Sequence, residues 1–186
     1  MQVETVPDPK ILELGAGHGA LSRKLLEWHP TAELTVTDVE AASVQAIAAG
    51  DLRDHPRATV REMDATAIDA PDRHFDLAVF VLSFHHLPPA HASRVLAEGT
   101  RAATKLLIID LPRPPSPLHI LRLATMLPLA PWVPFLHDGV ISSLRTYSPS
   151  ALRALALHAD PSIDIELRSG LVSPQIAIAS RRPQSR

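Results

Sequence analysis

The stretch Lys10–Ala20, KILELGAGHGA, constrains the fold more than any other part of the chain. The apolar residues Ile11, Leu12 and Leu14 run directly into Gly15, Gly17 and Gly19. A short buried strand that ends this way must turn sharply, and glycine tolerates the left-handed backbone such a turn needs. If the chain leaves through a helix, free backbone amides collect just beyond the strand. By itself the stretch fits G-x-G-x-x-A, a form of dinucleotide-binding turn, and equally E-x-G-x-G-x-G. It also fits a strand packed closely on a helix with no ligand at all.

Beyond this stretch, β-type runs alternate with helical patterns. The predicted strands are Lys10–Leu14, Leu34–Val39, Ala58–Met63, Phe75–Leu82, Lys105–Leu111, Ile163–Arg168 and Gln175–Ser180. Phe75–Leu82 and Lys105–Leu111 are nearly continuous apolar runs, as central strands buried on both faces require. Ile163, Ile165 and Leu167 alternate with Asp164, Glu166 and Arg168, giving a strand with one polar face. Helices are expected over Gly19–Trp28, Glu40–Ala49, Pro89–Ala103 and Pro149–His158. Pro30 and Gly50 follow two of them as stop signals, and Ser148-Pro149 reads as an N-cap followed by proline at N1. The short SGLVSP loop between the last two strands predicts an antiparallel hairpin. Five βα-type units and a terminal hairpin make an α/β sheet, whose ligand crevice lies beyond the carboxyl ends of the strands.

The 186 residues suit one domain, 1–186. With 46% hydrophobic and 20% charged residues the chain reads as globular. A net charge of −2 gives no electrostatic reason to expect nucleic acid or an anionic membrane as partner. Without cysteine, disulfides, thiolate catalysis and Cys-type zinc sites are excluded. No secretory pattern opens the chain, so a cytoplasmic location is expected. The most apolar stretch, Leu118–Leu136, is broken by Arg122, Pro128, Pro131 and Pro134, which argues against a membrane span. Residues 112–147 read instead as a lid or substrate-side insertion, whose composition would suit an apolar substrate or a protein partner.

Two acidic residues fall at the ends of the next predicted strands. Asp38, in LTVTDVE, lies 19 residues after Gly19, where a carboxylate can accept both hydroxyls of an adenosine ribose. Asp64-Ala65, in REMDATAI, follows strand three, where a carboxylate can accept from an adenine amino group.

At this point the chain resembles the class I S-adenosylmethionine-dependent methyltransferases. Glu13-Leu14-Gly15-Ala16-Gly17-His18-Gly19 is similar to that family's first motif, an acid followed by G-x-G-x-G. Asp38 matches its ribose acid, Met63-Asp64-Ala65 its adenine-contacting pattern, and His74–Leu87 its fourth strand and following loop. The resemblance spans about residues 10–111. It implies a Rossmann-like, seven-stranded, mostly parallel sheet of order 3-2-1-4-5-7-6, with helices on both faces and an antiparallel carboxyl-terminal hairpin. It implies S-adenosyl-L-methionine as cofactor and a small-molecule methyl acceptor, with oxygen favoured over nitrogen or carbon. It implies that Gly15, Ala16, Gly17 and Gly19 line the methionine side and that Glu13 orients the amino group. Asp38 would hold the ribose, Val39 would lie against the adenine, and Asp64 and Ala65 would meet its edge. Val81 and its neighbours would pass under the sulfonium. Relatives usually carry helices before the first strand, and here about ten residues precede Ile11, so the chain is expected to be short of that cap.

Residues on the acceptor side stay open. His85 and His86 follow strand four and face the crevice; one is a candidate base or substrate ligand, and a structural histidine closing the loop is the competing reading. Asp110 ends strand five and His137 follows the proline-rich segment; both are candidate substrate contacts. Adjacent histidines on a strand would point to opposite faces, and no H-x-x-x-H pattern occurs, so no metal site is expected. Asp76 reads as a structural hydrogen-bonding carboxylate and Arg181–Arg186 as a solvated tail. Two alternatives remain: a non-catalytic methyltransferase-like domain acting through a partner, and an NAD-binding Rossmann enzyme.

Overall fold

The computed structural model describes residues 7–113, 144–168 and 173–182, with residues 117, 120, 121, 124, 125 and 142. Its strands are β1 (Lys10–Leu14), β2 (Glu33–Asp38), β3 (Ala58–Glu62), β4 (Phe75–Val81), β5 (Ala103–Asp110), β6 (Ile163–Arg168) and β7 (Gln175–Arg181). Its helices are α1 (Ala20–Trp28), α2 (Ala41–Ala49), α3 (Pro89–Ala102) and α4 (Pro149–Ala159). A 3₁₀ turn, Phe84–His86, follows β4. These boundaries lie within two residues of those read from periodicity.

All seven strands form one sheet in the order β3-β2-β1-β4-β5-β7-β6. The first five are parallel, and β7 runs antiparallel between β5 and β6. Strand alternation sorts the core into two layers. Leu12, Leu14, Ala78, Phe80, Leu106 and Ile108 pack with Val95 and Leu96 of α3 and Leu152 of α4. Ile11, Leu34, Val36, Val79 and Leu107 pack on the other face with Leu25 and Leu26 of α1 and Ile47 of α2. The Ser148 hydroxyl caps α4 by accepting the Ala151 N–H at 3.2 Å, and Pro149 occupies its first turn.

Two expectations are corrected here. The fivefold βα repeat is broken between β3 and β4, where residues 63–74 hold no helix. Arg101 of α3 takes the place of helical hydrogen bonds there, donating to the carbonyls of Ile68 and Ala70, both at 2.8 Å. Pro71 and the short-range turn bond from the Thr66 N–H to Asp64 Oδ1 favour that irregular path. The carboxyl terminus is not solvated from Arg181 onward. Arg181 ends β7, pairs with Asp160 at 3.1 Å and donates to the Ala97 carbonyl at 3.0 Å. The remainder of that tail, 183–186, lies outside the described residues, as does most of the expected lid at 112–147.

Candidate cofactor and active site

Strand polarity brings the glycine loop, Asp38, Asp64, the turn after β4 and Asp110 to one rim, at the carboxyl ends of β1 to β5. Gly15 has φ +64°, and a Cβ on it would sit 2.7 Å from Phe80 Cε2. No other residue type meets both conditions without displacing the core. Gly17 has φ +55°, but a Cβ there would meet nothing within 4 Å, so its backbone borders open space. The loop is tied to β2 by the Ala16 N–H, which donates to the Thr37 carbonyl at 3.0 Å.

Asp38 is buried and holds two segments together. Its Oδ2 accepts the Gly17 N–H at 2.8 Å, and its Oδ1 accepts the Glu40 N–H at 3.0 Å, just before α2. A carboxylate has about four lone-pair sites, so capacity remains for hydroxyl donors. Val39 beside it is 63% exposed, an apolar surface at the rim. Asp64 is exposed; the Thr66 backbone N–H holds its carboxyl below the usual carboxylate range. Ala65 is half-buried against the core.

Glu13 is only 2% exposed. It shares the α1 face of the sheet with Ile11, and its Oε2 accepts the Ser22 hydroxyl at 2.5 Å. No basic side chain pairs with it among the described residues. Burial pushes its pKa up to about 7, and the Ser22 hydrogen bond offsets only part of that. A buried carboxylate without a cation suits a ligand that brings a positive charge. The left-handed glycine cradle, this uncompensated acid and the spare acceptor capacity at Asp38 together fit S-adenosylmethionine.

On the β4–β5 side the site is made of side chains. Phe84 is fully buried and meets Phe80 and Tyr147 edge-on, each with ring centroids 5.8 Å apart. That seats the 3₁₀ turn and fixes His85 inside. The Asp110 carboxylate accepts the His85 backbone N–H at 2.8 Å and the Leu111 N–H at 2.8 Å, and its Oδ1 lies 2.6 Å from His85 Nδ1. His85 and Asp110 are 5% and 4% exposed. Asp110 therefore lies beneath His85 rather than open to the crevice. His86 is exposed, and its ring lies 4.1 Å from that of His85, centroid to centroid. The two histidines do not point to opposite faces, because a 3₁₀ turn and not a strand carries them. Desolvation, then the charges of His85 and Arg145, hold the His86 imidazolium below its usual pKa, against the opposing pull of Asp110. Val81 ends β4 half-buried at the same rim. His137 lies outside the described residues.

Sequence reasoning missed three residues. Ser22, on α1, supplies the donor to Glu13; its place three residues past Gly19 was the available signal. Leu82 adopts φ +55° directly after β4, which no sequence pattern announces. Gln175 opens β7 opposite Asp110; its amide donates to the Tyr147 carbonyl at 3.0 Å, and its Oε1 is buried without a partner among the described residues. Asp76 accepts the Lys10 N–H at 2.9 Å, a structural bond between β1 and β4 as read. Among the described residues no group of three His, Cys, Asp or Glu side chains could hold a metal, and no helix is long and apolar enough to cross a membrane.

The fold has counterparts among solved structures. A SAM-dependent methyltransferase from Aquifex aeolicus superposes with a TM-score of 0.64 at 17% identity, covering 92% of this chain and 81% of that chain. A TehB-like SAM-dependent methyltransferase from Corynebacterium glutamicum gives 0.64 at 15% identity, over 96% and 83%. Magnesium protoporphyrin IX methyltransferase from Synechocystis, solved with bound SAH, gives 0.66 at 18% identity, over 96% and 77%. No curated protein sequence matches significantly. The antiparallel β7 between β5 and β6 also separates this sheet from the 3-2-1-4-5-6 order of dinucleotide enzymes. A sequence profile of the family described as "Methyltransferase domain" matches residues 11–105. By that match, which covers half of the chain and contains the glycine loop, Asp38 and Asp64, this chain belongs to the S-adenosylmethionine-dependent methyltransferases.

Proposed function

We propose that this methyltransferase acts on an oxygen of a small, apolar acceptor, and that His85 is its base. The observation that carries the reading is the buried pair of His85 Nδ1 and Asp110 Oδ1 at 2.6 Å. A carboxylate only accepts, so the pair keeps the proton on Nδ1 and leaves the Nε2 lone pair available. Asp110 is then a positioning residue and not a substrate contact. When bound, S-adenosylmethionine supplies a methyl group on a positively charged sulfur. Gly15, Ala16, Gly17 and Gly19 would hold its methionine side, and Glu13 would take up its amino group. Asp38 would hold the ribose, Val39 and Ala65 would flank the adenine, Asp64 would accept from it, and Val81 would pass beneath the sulfur.

The acceptor hydroxyl gives its proton to His85 Nε2, and the resulting oxygen is the nucleophile. Positioning in a dry pocket supplies the rest of the acceleration. The exposed side chains of Ile120, Leu121 and Leu144, within the 112–147 segment, favour an apolar acceptor. His137 on the same segment is the remaining substrate contact in this reading. The unpartnered Gln175 Oε1 favours an acceptor carrying a second hydroxyl or amine donor.

The test is turnover with methyl-labelled cofactor across a panel of phenols, aliphatic alcohols, amines and carbon acids, with products identified by mass. Methylated oxygen, made by the wild type and lost in His85→Asn while S-adenosylhomocysteine still binds, supports the proposal. Unchanged kcat in His85→Asn, or methyl found on nitrogen or carbon, overturns it.

A further inference from the structure

A concavity opens at the amino-terminal end of the sheet, opposite the rim that holds the glycine loop. It lies where β4, β5 and β6 begin and β7 ends, and encloses about 330 Å³. That volume suits a small metabolite. Arginines from separate segments converge on it: Arg73 before β4, Arg101 at the end of α3, and Arg181 and Arg182 at the end of β7.

The four guanidinium groups divide into two pairs. Arg101 and Arg181 are engaged by the protein. Arg101 forms a two-pronged bond with Glu98, at 3.0 and 2.7 Å, and reaches Asp72 at 2.9 Å. Arg181 pairs with Asp160, and so the two make a rigid wall. Arg73 and Arg182 are different. Both are exposed, and neither pairs with a carboxylate among the described residues. Arg182 gives one nitrogen to the Pro161 carbonyl at 2.7 Å, and Arg73 has no side-chain partner among those residues. Yet their backbones are pinned. The Arg73 N–H donates to the Arg101 carbonyl at 2.8 Å, with φ +54° at Arg73, and the Arg182 N–H donates to the Ser162 carbonyl at 2.9 Å. The half-buried Ser162 hydroxyl also lines the cavity and adds a neutral donor.

Asp72, Glu98 and Asp160 are the carboxylates of this cluster, and each is already bonded to Arg101 or Arg181. Two arginines without a carboxylate among the described residues line one concavity on fixed backbone beside Ser162, and guanidinium groups suit a dianionic oxyanion. The methyl-transfer site at the carboxyl ends of the strands has no use for them.

We propose that this amino-terminal end of the sheet binds the phosphate of a small phosphate monoester through Arg73, Arg182 and Ser162. The ligand belongs to neither the cofactor nor the acceptor site. Titration calorimetry and thermal shift, with ribose 5-phosphate as probe and ribose as control at fixed ionic strength, test it in the full chain. The expected result is saturable binding of ribose 5-phosphate and none of ribose. Inorganic phosphate is titrated separately: binding as tight as ribose 5-phosphate identifies free phosphate, not a monoester, as the ligand, and overturns the stated class. Arg73→Ser combined with Arg182→Ser should weaken ribose 5-phosphate binding at least tenfold and leave S-adenosylhomocysteine binding unchanged. Arg23→Ser, which removes an exposed arginine elsewhere, should leave both unchanged. No saturable response in the wild type, or equal loss in Arg23→Ser, overturns the proposal. If the double variant shows altered S-adenosylhomocysteine binding as well, the single variants Arg73→Lys and Arg182→Lys replace it; retained charge with lost bidentate geometry should still weaken the phosphate ester alone.

Discussion

On the β1–β2 side of the crevice, the contacts run largely through backbone groups. Gly15 to Gly19 follow β1 directly, and Asp38 closes on the Gly17 N–H from the end of the next strand. On the β4–β5 side, the contacts are between side chains. His85 meets Asp110 across 25 residues, and Gln175 stands opposite Asp110 only because β7 turns back antiparallel beside β5. Glycine conformation and strand polarity build the first side almost alone. The second depends on the tertiary packing that seats Phe84 between Phe80 and Tyr147. Substitutions should therefore split: the β1–β2 side governs cofactor affinity, the β4–β5 side governs turnover.

The largest effect that would sharpen this division is expected on the β4–β5 side. His85→Asn should lower kcat by about 100-fold or more, the usual range for loss of a positioned base, with S-adenosylhomocysteine affinity unchanged. Asp110→Asn should lower kcat less, and should shift the pH profile of kcat, because an amide no longer demands a proton on Nδ1. Equal losses of cofactor affinity in both variants would break the division.

Gly15→Ala comes next, now on the β1–β2 side. Positive φ and the 2.7 Å approach to Phe80 together should cost about 2–5 kcal/mol of stability, measured by urea unfolding. Gly17→Ala shares the positive φ but lacks the clash, so about 1–2 kcal/mol is expected, with the larger loss in cofactor affinity. If the two variants behave alike, packing does not separate the two glycines.

Glu13→Gln tests the buried acid. In the unfolded chain Glu13 ionises near 4.5, whereas in the folded chain it keeps its proton up to about 7. Between those values the folded state binds more protons, so the group's contribution to stability falls as pH rises through that window. Above about 7 the full penalty, on the order of 3 kcal/mol, applies. Glu13→Gln should therefore be more stable than wild type at pH 8 and similar at pH 4, while binding S-adenosylmethionine at least tenfold more weakly. The reverse pH trend in paired urea titrations would remove the uncompensated-charge argument. The smallest effect belongs to Ser148→Ala, which should cost about 1 kcal/mol through the α4 cap and alter neither cofactor affinity nor kcat.

How much of this was legible varies residue by residue. The glycine loop and Asp38 were legible because strand-end spacing alone places them. The strand order followed from the resemblance of those motifs, with the hairpin read from SGLVSP. That no helical pattern falls between β3 and β4 was legible, but what holds the loop there was not, since Arg101 grips it from α3, reaching the Ala70 carbonyl across 31 residues. The Arg181 anchorage to Asp160 was equally hidden, because a run of terminal arginines reads the same whether solvated or paired.

The sequence alone determined the order of elements and the gathering of the glycine loop, Asp38 and Asp64 at the carboxyl ends of the strands. Periodicity, glycine conformation and strand polarity are local properties, written in neighbouring residues. The tertiary structure decided which acid is buried without a cation, which histidine is held by Asp110, and which arginines are left over at the far end of the sheet. Those outcomes depend on desolvation and on pairing between distant side chains, and neither exists until the chain has closed around them.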